Sequence, residues 1–220
     1  MSPLKKSSRF SNHLYLTLAM FVTFALLFAF YVRSEKQIDQ ANEVRLQSHL
    51  LADELRQSSD DLTRMVLNYV ITGDIIYKQH FLEILDIRDG KKPRPVNYHN
   101  LYWHLVPIND QRSNGATIAL LELMRQNGFT QEELAKLAQA KINSDALART
   151  ELAAMALIES AHPPTEATRF KASLMLQDTA YHQAKANIMQ PISEFYLMME
   201  QRTQAIVHTA QTNARSKSVV

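Results

Sequence analysis

Positions 14–32, LYLTLAMFVTFALLFAFYV, form a run with no charged residue, and this run sets the first limit on how the chain can fold. As a helix rising ~1.5 Å per residue it extends roughly 28 Å, close to the ~30 Å hydrocarbon core of a bilayer. Lys5, Lys6 and Arg9 precede it, Arg33 follows it, and the head before it carries no acidic residue. The positive-inside bias then keeps residues 1–13 cytoplasmic, makes 14–32 a transmembrane helix and exports 33–220. A cleaved signal peptide is the rival reading, but the run exceeds the usual ~7–15-residue apolar region and no A-x-A-like site follows it. Tyr15 and Tyr31 fall near the two interfaces, where amphipathic rings anchor a helix.

The exported part is long enough for one domain or two small ones with a real core. With 24 basic and 22 acidic residues the net charge is only +2, which leaves no electrostatic footprint for nucleic acid. There is no cysteine, so disulfides and thiolate metal sites are excluded. Only four glycines (73, 90, 115 and 128) and seven prolines interrupt the chain, and few breakers mean long helices. No alternating strand pattern occurs, so the expected class is all-α.

Ala41, Val44, Ser48, Leu51, Leu55, Ser58, Leu62, Met65 and Tyr69 step by three and four, a heptad seam that predicts one helix from the membrane to Gly73. Ile188, Ile192, Phe195, Met199, Arg202, Ile206 and Thr209 repeat the spacing near the other end, predicting a second helix of about forty residues antiparallel to the first. Asp74 reads as the N-cap of a helix over 75–88, and Thr130 with Glu133 as a capping box opening a helix that Pro163 and Pro164 end. A short helix fits 118–127, closed by Gly128, which leaves 89–116 as an irregular insert in an antiparallel up-and-down bundle. Pro191 inside the last helix predicts a kink. The polar seam positions Ser48, Ser58 and Arg202 suit either register-setting in a wetter bundle near the membrane or a loosely packed bundle with two alternative arrangements. Leu51, Leu55, Leu62 and Met65 also suit a homodimer interface along the first helix.

Three places concentrate polar and aromatic side chains. The insert holds Arg88, Lys91, Arg94, Tyr98, Tyr102 and the single tryptophan, Trp103, a set suited to a small anionic or planar ligand, or to tucking the loop onto the bundle. The helix after Thr130 has Lys141, Asn143, Ser144, Asp145, Arg149, Thr150 and Glu151 close to its apolar stripe, where buried polar groups need partners from facing helices or a ligand. Tyr181, Lys185 and Asn187 flank the predicted kink. The candidate ligand-binding residues are therefore Arg88, Lys91, Arg94, Tyr98, Tyr102, Trp103, Asn143, Tyr181 and Lys185. His99 and His104 are five apart with no nearby acid, which argues against a metal site. No P-loop, G-x-S-x-G, H-E-x-x-H or G-x-G-x-x-G occurs, so neither catalysis nor a cofactor is expected.

Taken together, residues 57–66 (QSSDDLTRMV), 69–74 (YVITGD), 83–91 (EILDIRDGK), 93–95 (PRP), Tyr102-Trp103, 120–124 (LLELM), 143–147 (NSDAL) and 181–192 (YHQAKANIMQPI) resemble the N-terminal sensory regions of bacterial membrane signalling proteins. Such regions precede methyl-accepting chemotaxis, histidine kinase or diguanylate cyclase outputs. The resemblance covers about 45–205 and implies a periplasmic helical sensor anchored in the inner membrane, binding a small ligand and engaging a signalling partner. By that pattern a second membrane helix and an output domain follow the descending helix, whereas this sequence runs to Ala214-Arg215-Ser216-Lys217-Ser218-Val219-Val220 without them. The stretch between Ala161 and Tyr181 is also short for such regions. The alternative expectation is an envelope adaptor or structural coiled coil acting through partner binding.

Overall fold

A computed structural model describes residues 5–96, 98, 102–106, 115–160 and 163–218. Among these residues seven helices appear in order: α1 (Lys5–Thr72), α2 (Ile75–Arg88), α3 (Tyr102–Leu105), α4 (Leu120–Gln126), α5 (Gln131–Glu159), α6 (Glu166–Met175) and α7 (Thr179–Ser218). All regular structure among the described residues is helical, as the sparse glycine and the three-four periodicity require. Two compact units are present, one formed by Met1–Arg45 with Arg202–Val220 and the other by Leu46–Gln201.

In the first unit the apolar run of α1 buries nothing: Phe21 is 75% exposed and Phe24 68%. A window within this helix reaches a mean hydropathy of 2.1, so it is long and apolar enough to cross a membrane by length and composition. Its threonine hydroxyls are satisfied internally, with Thr17 Oγ1 donating to the His13 and Leu14 carbonyls and Thr23 Oγ1 to the Ala19 carbonyl at 2.8 Å.

The second unit is organised by what its long helices exchange. Lys185 of α7 reaches Asp60 of α1, and Glu200 reaches His49, so numbering rises on one helix as it falls on the other. Lys136–Glu194 and Glu151–Tyr181 place α5 and α7 antiparallel in the same way, as Arg88–Asp145 and Lys78–Glu159 do α2 and α5. Thr63–Glu151 and Tyr69–Glu159 run in step, so α1 and α5 are parallel. The shared core contains Leu62, Met65, Phe81, Ile84, Met155 and Phe195, and Phe129 stacks on Phe195 with ring centres 5.4 Å apart. Leu55, Leu62 and Met65, offered by the sequence to either a core or a dimer, are buried within this unit. The second seam holds through Met199 and then shifts, because Thr203 is buried while Ile206 is exposed.

The helix ends follow the signals in the chain. Gly73, at φ 74°, stops α1 with its N–H on the Tyr69 carbonyl at 2.8 Å. The guanidinium of Arg169 on α6 then donates to the Val70 and Ile71 carbonyls at 3.1 and 2.8 Å, satisfying groups the helix leaves open. Asp74 caps α2, and Thr130 with Glu133 forms the reciprocal capping box of α5. The irregular insert is partly ordered as α3, and the 161–181 stretch contains α6, capped by Thr165, neither of which the sequence reading predicted. Gly90 sits at φ 70° where a Cβ would collide with the backbone of Ile118 and Ala119, so the chain leaving α2 passes hard against the start of α4. Helix α7 continues through the buried Pro191.

Candidate functional site

The aromatic residues of the insert close over the outer face of α1. Tyr98, Tyr102 and Trp103 meet edge to face, with ring centres 5.2 Å apart for the tyrosine pair and 5.1 Å for Tyr102 and Trp103. Trp103 Nε1 donates to Tyr98 Oη at 3.0 Å, and the indole packs on His80 of α2 with centroids 5.2 Å apart. Because Trp103 is 4% exposed, the insert is fixed to the unit by a large buried ring.

Between these rings and α1 lies a cleft of about 390 Å³ measured to its open mouth, of which about 30 Å³ admits the centre of a water-sized group. The α1 wall comprises Leu50, Asp53, Glu54, Gln57, Ser58 and Asp61, residues three and four apart on one helix face. Asp53 pairs with Arg56 at 2.8 Å, Asp61 with Arg64, and Glu54 with Arg94 from the insert. The Arg94 guanidinium also lies 5.8 Å from the centre of the Tyr98 ring. Burial of Glu54 outweighs the stabilising Arg94 and pushes its carboxyl up to about 7. Burial likewise raises Asp61 in spite of Arg64, and raises Tyr98.

The nine sequence candidates divide among several places. Tyr98, Tyr102 and Trp103 line the cleft, and Arg94 stands behind Glu54. Arg88 is 2% exposed and donates to Ser144 Oγ at 2.8 Å and Asp145 at 2.6 Å, clamping α2 to α5, and burial lowers its pKa. Lys91 is exposed and pairs with Asp89 at 3.1 Å. Asn143 borders a shallow open groove between α5 and α7 and donates to the Asn187 carbonyl at 2.7 Å. Tyr181 donates to the buried Glu151 at 2.7 Å, and Lys185 reaches Asp60 and Thr63, so this pair ties α1, α5 and α7 together. Burial raises Glu151, which is what a carboxylate held among three helices requires. The buried Ser144 and Glu151 of α5 thus find partners on facing helices. His99 lies outside the described residues, and His104 Nδ1 is 2.9 Å from Arg64.

No family model, curated protein or solved structure matches this chain. The cleft itself therefore bears the functional argument. Sequence reasoning missed its acidic wall, although the signal was there: Asp53, Glu54, Gln57 and Asp61 occupy the flank beside the seam serine Ser58, at helical spacing.

Proposed function

We propose that this chain is the extracytoplasmic sensory module of a membrane signalling system, anchored by residues 14–32, with its helical bundle exported. A small ligand enters the cleft between α1 and the aromatic insert and changes how α1 packs. The observation that carries this reading is that one continuous helix, α1, holds both the apolar run and one wall of the cleft. A ligand that binds one packing of α1 better than another shifts the balance between them by its difference in affinity. Alternating helix directions in the second unit are those of an up-and-down bundle, the arrangement this reading requires. A homodimer through exposed faces, and an inner-membrane location with a cytoplasmic N-terminus, belong to the same proposal. Burial of Leu55, Leu62 and Met65 within the unit leaves them to the core, so the proposed homodimer uses other faces than that part of the α1 seam.

The test is thermal melting of the full chain in detergent micelles against a library of small cations, anions and neutral metabolites. A ligand at 100 times its Kd adds about 2.7 kcal/mol of stability, enough for a clear shift. At least one compound is expected to stabilise the protein, with the effect lost on Tyr102→Leu. A library that stabilises nothing overturns the sensing role.

A further inference from the structure

Helix α7 runs unbroken through Pro191, a residue with no N–H to give to the helix. The carbonyl it leaves without a helical donor is that of Asn187, four residues back, which the proline ring also crowds. A donor comes from outside the helix instead: Asn143 of α5 gives an Nδ2 hydrogen to the Asn187 oxygen at 2.7 Å. Gln139, one turn before Asn143, donates to Asn143 Oδ1 at 3.0 Å, so the oxygen of that amide is held and its nitrogen faces α7. A side chain of the neighbouring helix thus completes the rung that proline leaves out.

The two halves of α7 within the second unit are anchored separately. Before the proline, Tyr181 donates to Glu151 of α5 and Lys185 to Asp60 of α1. After it, Glu194 pairs with Lys136, Phe195 stacks on Phe129 and Glu200 pairs with His49. Movement of one set of anchors relative to the other falls on the joint between them, where the helix lacks a bond of its own. We infer that Asn143 is the latch of a hinge in α7: while its amide holds the Asn187 carbonyl, the segments on either side of Pro191 move as one rod, and when that bond opens they tilt independently. Water from the open groove beside Asn143 and Pro191 can satisfy the carbonyl in place of the amide, but water ties α7 to nothing. The latch belongs to these two helices, whatever the cleft binds.

The chain has no cysteine of its own, so spin labels go where they are placed. In detergent micelles the full chain is labelled at Glu132→Cys on α5 and Gln201→Cys on α7, both exposed positions. Gln201 lies roughly 15 Å beyond Pro191 along the helix, and a kink of ~20° swings an arm of that length sideways by about 5 Å. Pulsed dipolar EPR is expected to give one narrow distance distribution for the parent, and Asn143→Ala to spread it by about 5 Å. Adding Pro191→Ala, which offers the Asn187 carbonyl an N–H from its own helix, is expected to restore the narrow distribution with Asn143 still absent. A second pair, Gln79→Cys on α2 with Ala156→Cys on α5, is expected to keep its distribution in every variant. An Asn143→Ala distribution like the parent's overturns the latch, and so does a double variant as broad as Asn143→Ala alone. Broadening of the α2–α5 pair alongside the α7 pair overturns it too, because that is a general loosening and not a hinge at one carbonyl.

Discussion

Glu54 is where burial and charge compete most directly. The groups facing it are Arg94 and Tyr98 from the insert and Asp53 and Asp61 from its own helix. Its carboxyl rises from 4.5 to about 7, so the folded protein holds a proton that the unfolded chain releases. Unfolding then becomes easier as pH rises: the contribution is greatest below about pH 4.5 and is lost on the way to pH 7. Glu54→Gln keeps the neutral shape and removes the titration. Urea melts followed at Trp103 are expected to give matching stabilities for variant and wild type near the low end of that window, and a more stable variant above it. A wild type that gains on the variant as pH rises would show that the Arg94 pair dominates instead.

At the scale of the helix, α1 presents one pattern to two environments. Leu62 is 1% exposed in the core of the second unit, and Leu62→Ala is expected to cost about 2–5 kcal/mol. Val44 occupies an equivalent seam position but is 38% exposed, so Val44→Ala is expected to change stability by less than about 0.5 kcal/mol. Equal losses in denaturant melts would mean that the seam is buried along its whole length, by a partner or a second copy. The sequence made α1, α2, α5 and α7 readable because each carries its own stop or start: Gly73, Asp74, the Thr130–Glu133 box and the long apolar spacing ending at Met199. α6 escaped because it is short and begins just after Pro163 and Pro164. Three of the site's aromatic residues were legible as a cluster, but their counterpart on α1 lay some forty positions away, as Glu54 and Arg94 do. Side-chain pairing over that distance has no local periodicity to announce it. For the same reason the partners of Arg88, Ser144 and Asp145, are not legible from its own neighbourhood in the sequence.

At the scale of the whole molecule, the apolar run and the export of everything after it make one joint prediction. The chain has no cysteine, so single substitutions report without background. In intact cells a membrane-impermeant maleimide is expected to label Gln177→Cys, an exposed position, and to reach Ser7→Cys only after permeabilisation. The reverse pattern would invert the orientation, and labelling of both without permeabilisation would remove the anchor. Arg169 gives such an anchored helix a mechanical character. By gripping the Val70 and Ile71 carbonyls it fixes the C-terminal end of α1, so that end cannot fray without first giving up both bonds to α6.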